Sequence, residues 1–117
     1  MVFETFIPRG GPAQEPRITI LPSGVIWVNF LAKKKFFKSN RRTSLLYDKE
    51  RRVIGLRPTD TPRGTYALSQ SRGRNNISVS GRGFMKHFDI LPDKKHAFEP
   101  RWNAENMLVE IDLNKPL

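Results

Sequence analysis

The chain has 117 residues, 21 of them Lys or Arg against 11 Asp or Glu, for a formal net charge of +10. It contains no cysteine, which excludes a disulfide scaffold, an iron–sulfur centre, a cysteine zinc site and a thiol nucleophile. Its 38% hydrophobic content, with 8 Phe, 2 Trp and 2 Tyr, suffices for one core of ordinary domain size, and no apolar run approaches the ~18 residues of a membrane span.

Residues 1–16 carry Pro8, Gly10, Gly11, Pro12 and Pro16 without periodicity, which predicts a flexible arm. The start MVFETFIPRGGP lacks the basic opening and long apolar stretch of a signal peptide, so a cytoplasmic location is expected. Arg17–Leu21 alternates and is β-branched, the signature of a strand. Pro22-Ser23-Gly24 has turn chemistry, and Val25–Val28 is a second strand. Asn29 is an N-cap candidate for a short helix over Phe30–Lys38, with Leu31, Phe36 and Phe37 toward the core and Lys33, Lys34, Lys35 and Lys38 outward. Strands at Ser44–Tyr47 and Val53–Arg57 flank a turn, and the prolines and glycine between Pro58 and Gly64 predict a linker.

A similar order follows. Thr65–Ser69 and Asn76–Val79 read as strands around a Gly/Arg/Asn loop, with Ser80 an N-cap candidate for a helix over Gly83–Phe88. Lys95–Trp102 is a strand marked as edge or bulged by Pro100. Met107–Leu113 alternates cleanly as the last strand. Ile26, Val28, Asn29 and Phe37 fall on Ile77, Val79, Ser80 and Phe88 at a constant shift of 51 positions. The expectation is two β-β-α-β-β units, 17–58 and 65–117, joined by a linker at 59–64 and preceded by the arm at 1–16. A unit that small rarely buries enough apolar surface alone, so the two should share one core. Trp27 and Trp102, among strand residues, are expected in the core or at a subunit contact, the alternative being that they stack on nucleic-acid bases if exposed.

The charge is not evenly spread. Residues 1–58 hold 12 basic and 4 acidic residues, 59–88 hold 5 and 1, and 89–117 hold 4 and 6. Two stretches lack acid altogether: one carries Lys33, Lys34, Lys35, Lys38, Arg41 and Arg42, the other Arg63, Arg72, Arg74, Arg82 and Lys86. A polyanionic partner is expected, most often nucleic acid. In the Arg72-Gly73-Arg74-Asn75-Asn76 loop, arginine can pair bidentately with phosphate or guanine and asparagine with adenine. The lysine and arginine cluster at 33–42 suits phosphates, which position without specifying sequence.

No enzymatic pattern accompanies these features. His87 and His96 lack metal-ligand spacing, and Asp89, Asp93, Glu110 and Asp112 form no recognisable acid–base pair. Ser69, Ser71, Ser78 and Ser80 have no nucleophile-elbow context, and the Arg-Gly pieces form neither a Walker loop nor a dinucleotide fingerprint. No catalysis, metal or cofactor is expected.

The order of elements resembles the AbrB/MazE-type swapped-hairpin family. The second half carries the resemblance in Ser71–Ser80, Phe84–Ile90 and Asn103–Leu113, and the first in Ile18–Asn29, Leu45–Tyr47 and Val53–Pro58. The resemblance implies an α+β, mostly β fold, with the two tandem units interlocked as one pseudo-dimeric barrel. It also implies a DNA-binding transcription regulator or an antitoxin, contacting duplex DNA through Arg72, Arg74 and Asn75, with Arg82 nearby. Asn29 and Ser80 stand where the family has proline, and Val25 stands where it has a basic residue. The expected partner is therefore duplex DNA, with RNA or an acidic protein as the alternatives. The expected assembly is a monomeric pseudo-dimer or a homodimer.

Overall fold

The computed structural model describes residues 15–70 and 76–117, and Phe3. The strands are β1 (Ile18–Ile20), β2 (Val25–Val28), β3 (Arg42–Asp48), β4 (Val53–Thr59), β5 (Tyr66–Ala67), β6 (Ser69–Gln70), β7 (Ile77–Ser80), β8 (His96–Phe98), β9 (Arg101–Asn103) and β10 (Leu108–Asp112). The helix α1 (Phe30–Ala32) continues as a π turn over Lys33–Phe37, and α2 spans Arg82–His87.

All strand pairs among the described residues are antiparallel. They make two five-stranded sheets, ordered β6-β7-β2-β1-β8 and β5-β3-β4-β10-β9. Each sheet mixes strands from before and after residue 60. The hairpin β1–β2 lies between β7 and β8, and the hairpin β3–β4 lies between β5 and β10.

The expected single closed barrel is corrected to these two sheets. Two kinked segments pass between them. Segment 66–70 pairs with β3 through β5 and with β7 through β6. Segment 96–103 pairs with β1 through β8 and with β10 through β9. Pro100 is the reason for the second kink: a proline has no N–H for the ladder, so the expected continuous strand over Lys95–Trp102 breaks into β8 and β9.

The registers are related across the two halves. In the β2–β7 ladder Ile26 faces Val79 and Val28 faces Ile77, so a shift of 51 (26 to 77, 28 to 79) exchanges the two pairs. In the β4–β10 ladder Ile54 faces Ile111 and Leu56 faces Val109, pairs exchanged by a shift of 55 (54 to 109, 56 to 111). The hairpin turns keep that second shift. Arg51 N donates to Asp48 Oδ1 and Asn106 N to Asn103 Oδ1, both at 3.1 Å, and Arg52 and Met107 both have positive φ, at 56° and 54°. The side-chain acceptor closes each turn by the same Asx chemistry.

The alternation of the strands fills one core between the sheets. Ile18, Ile20, Ile26, Val28, Ile77, Val79 and Phe98 enter it from the first sheet, and Ile54, Leu56, Val109 and Ile111 from the second. The helices add Ala32, Phe36, Phe37, Phe84 and Met85. Phe36 and Phe37 are buried as their spacing predicts, whereas Leu31 is only half-buried and Ala32 takes the enclosed position.

Asn29 caps α1. Its Oδ1 accepts from Ala32 N at 2.9 Å and from Arg17 N at 3.0 Å, while its Nδ2 donates to Glu15 O at 2.9 Å. One side chain thus satisfies an orphan helix donor and holds the entry to β1. Ser80 does not play that part in α2: Gly81 precedes the helix, with no side-chain cap. Gly81 sits close to the first hairpin: its N–H donates to Gly24 O at 3.1 Å, and a Cβ there would lie a tight 3.2 Å from the same oxygen. α2 ends in a Schellman motif, with Ile90 N bonded to Met85 O, Asp89 N to Lys86 O, and Asp89 at φ 55°. Neither tryptophan is enclosed in the core: Trp27 is 37% and Trp102 43% exposed.

Candidate nucleic-acid interface

The π turn sets the position of the first basic cluster. Burial of Phe36 and Phe37 on its inner side leaves Lys34, Lys35 and Lys38 exposed and Lys33 half-buried. Lys38 N donates to Lys33 O at 2.8 Å, closing the wide turn, and Asn40 N donates to Phe37 O, turning the chain toward β3. Arg41 N donates to Asp60 Oδ1 at 3.0 Å, which uses the backbone and leaves the exposed guanidinium out of that bond. No Lys or Arg of the 33–42 cluster forms an ion pair with a carboxylate among the described residues.

Lys33, Lys38, Asn40 and Arg41 line a cleft of about 520 Å³ together with Leu68, Gln70 and Ile77. Gln70 and Ile77 flank residues 71–75 in the chain. The structure thus brings the first basic cluster beside the strand ends that carry the Arg72/Arg74 loop. Arg72, Arg74 and Asn75 themselves lie outside the described residues.

Two of the other expected contacts sit differently. Arg42 is half-buried, and its Nε donates to Thr65 Oγ1 at 2.6 Å and its Nη2 to Thr65 O at 2.8 Å, tying β3 to the segment before β5. Arg82 is exposed at the start of α2, with its backbone against Gly24. That is the Val25/Ser80 end of the β2–β7 ladder, whereas the 71–75 loop leaves from the Val28/Ile77 end.

A second cavity, of about 540 Å³, adjoins the first through Lys38 and Asn40, which line both. Its walls add Lys35, Phe36, Arg57, Pro58, Trp102 and Met107. The Phe36 and Trp102 rings are nearly parallel, at 14°, with centroids 6.2 Å apart, and Lys35 Nζ lies 5.4 Å from the Phe36 centroid. Arg57 is held by bonds from Nε and Nη2 to Asn106 O at 3.2 and 3.1 Å. Sequence reading passes over Arg57 and places Trp102 in a core or contact. The available signal is Arg57 next to Pro58 at a strand end, but nothing local says that β9 delivers Trp102 to the same place.

The acidic end of the chain gathers elsewhere. Glu110 Oε1 accepts from Arg51 Nη2 at 3.2 Å and its Oε2 from Asn103 Nδ2 at 3.0 Å. These bonds favour the carboxylate and hold Glu110 below its ordinary pKa, and the same pair raises Arg51. Arg51, Glu99, Arg101, Glu110 and Asp112 share one cavity, where the charges are mixed. No helix among the described residues is long and apolar enough to cross a membrane.

Compared with family models, with curated proteins and with solved structures, the chain has no match.

Proposed function

We propose that this protein binds duplex DNA non-catalytically, as a regulator would, through the basic cleft at the Val28/Ile77 end of the β2–β7 ladder. The observation that carries the reading is the cleft itself. Lys33, Lys38 and Arg41 converge there on the strand ends that flank the Arg72/Arg74 loop, and none of them is neutralised by an ion pair among the described residues. Cations on a rigid turn, held by buried Phe36 and Phe37, suit phosphates at fixed spacing. The exchange-related registers of the β2–β7 and β4–β10 ladders support two equivalent units in one chain, as the swapped-hairpin resemblance implies. On this reading Arg72, Arg74 and Asn75 contact base edges or phosphates, and Lys34 and Lys35 extend the field, while Arg82 stands at the far end of the β2–β7 ladder. Arg42 holds the framework through Thr65.

The test is duplex DNA binding across a salt series. Each phosphate neutralised contributes about −0.9 to the slope of log K against log salt. Replacing Lys33, Lys38 and Arg41 by Gln together is expected to make the slope shallower by about 2.7. Arg72→Gln with Arg74→Gln is expected to weaken binding and remove about 1.8 more. Binding that is independent of salt, or unaffected by both sets of changes, refutes the reading. Preference for duplex RNA in the same titration moves the assignment to RNA, and binding only to an acidic protein moves it to a protein partner.

A further inference from the structure

The second cavity does something a phosphate clamp does not need: it exposes flat apolar surface. Trp102 is 43% and Met107 60% exposed, beside a Phe36 ring that runs nearly parallel to the indole. A phosphate backbone gains nothing from such surface, and here the exposed apolar groups share one groove with the cations. The polar groups of the wall are Lys35, Lys38, Arg57 and Asn40, with no carboxylate among the described lining residues. The ligand that matches both features is flat and apolar on one part and anionic on the next. Successive bases and phosphates of an unpaired nucleic-acid strand have that composition, and aromatic side chains beside a basic groove are how such strands are held without sequence preference.

We propose that this groove is a site for an unpaired nucleobase, which stacks on Trp102 while its flanking phosphates meet Lys35 and Lys38. The volume of about 540 Å³ is in the range of small-ligand sites. The backbone that carries the indole is held before any ligand arrives: Trp102 pairs with Val109 in the β9–β10 ladder, and Arg57 fixes the following turn through Asn106 O. Lys38 and Asn40 belong to both cavities. A strand that leaves the basic cleft therefore meets the aromatic groove at the Lys38 ammonium and the Asn40 amide. The site deepens the nucleic-acid reading by adding single-stranded segments to what the protein accepts, and it rests on that reading only for the shared cations.

The chain has only two tryptophans, so the test is direct. Trp27 lies on β2 and lines neither cavity. The Trp27→Phe protein reports on Trp102 alone, and the Trp102→Phe protein reports on Trp27 alone. Titration of Trp27→Phe with a 12-nucleotide oligothymidylate is expected to quench its fluorescence saturably, while the same titration leaves Trp102→Phe unquenched. Trp102→Ala is expected to weaken oligothymidylate binding about tenfold or more, as loss of one stacking platform does, with the circular dichroism spectrum retained. Because quenching is read in a protein whose Trp102 is intact, the result does not depend on the alanine variant folding. No quenching, equal quenching of Trp27, or equal quenching by polyglutamate overturns the proposal. So does self-association that buries Trp102 and excludes the oligonucleotide. Quenching absent while salt-dependent duplex binding persists refutes the groove and spares the duplex reading, and the reverse result does the opposite.

Discussion

Replacing Gly24 by alanine tests whether the two halves of the chain are held together where the structure joins them. Gly24 sits at φ +89°, closing the β1–β2 turn by donating its N–H to Leu21 O at 2.9 Å. A Cβ there would lie 2.5 Å from Arg82 Cα, 2.8 Å from Arg82 Cβ and 2.9 Å from Arg82 N, atoms of the other half that cannot rotate away. The left-handed conformation costs a non-glycine residue about 1–2 kcal/mol, and stiffening the unfolded chain returns about 0.4–1 kcal/mol. Forcing the hairpin and α2 apart adds about 1–3 kcal/mol, with the Gly81-to-Gly24 hydrogen bond strained as well. The net loss is about 1–5 kcal/mol, a large share of the 5–15 kcal/mol typical of a domain. Gly64 is the matched control, because it has φ +72° with nothing within 4 Å of a built Cβ. Gly64→Ala should therefore show only the conformational term, about 1 kcal/mol. Thermal unfolding followed by circular dichroism should place Gly24→Ala about 10 °C below Gly64→Ala. Equal melting temperatures would refute the close contact between the first hairpin and the second helix, and with it the interleaving of the halves.

Asn29→Ala removes a helix cap and two bonds that hold the entry to β1. It is expected to lower stability by about 1–2 kcal/mol in urea unfolding, and an unchanged midpoint would show that α1 and β1 do not depend on this side chain. Glu110→Gln tests the ion pair that ties the β3–β4 turn to β10. The folded carboxyl titrates below its ordinary value, so its contribution is present above that ordinary value and disappears as pH falls through the lowered one. The variant should be less stable than the parent at pH 7, by the modest amount an exposed pair gives, and the gap should close in strong acid. A gap that persists there assigns the loss to packing instead. Phe37→Ala, at a fully buried position under the basic turn, should cost about 3–5 kcal/mol and release the lysines from their fixed spacing. Its duplex DNA affinity should fall even where unfolding is incomplete, and unchanged affinity would show that the turn need not be rigid.

Much of the local structure is legible in the residues themselves. The alternation of Ile18 with Ile20, Ile26 with Val28 and Ile77 with Val79 marks inward faces because side chains on a strand point to opposite sides in turn. Asn29 is readable as a cap because a short side-chain acceptor before an apolar run satisfies an orphan N–H. Ser80 has the same chemistry and fails, because the helix begins one residue later, after Gly81, whose N–H is bonded to Gly24 O. That constraint comes from a residue far away in sequence. The split of Lys95–Trp102 into β8 and β9 is half legible: Pro100 announces a break, but not that the two pieces join different sheets.

The basic groups followed the same division. Their number, the freedom of two stretches from acid and the acidic tail are properties of composition, and they hold for any fold. Which cations stand free is a matter of tertiary contact: Arg42 is spent on Thr65, while Lys33, Lys38 and Arg41 line a cleft. Trp102 shows the limit most clearly. A tryptophan between strand residues reads as core, because burying an indole is favourable wherever a neighbour can cover it. β9 instead sets it beside Phe36, more than sixty positions earlier in the chain, and leaves it open to solvent among lysines and an arginine. Residue type and periodicity set the strands, the caps, the core positions and the sign of the field. Long-range pairing alone decided which strands share a sheet and which charges and rings meet, because those contacts depend on chain segments whose separation leaves no trace in local pattern.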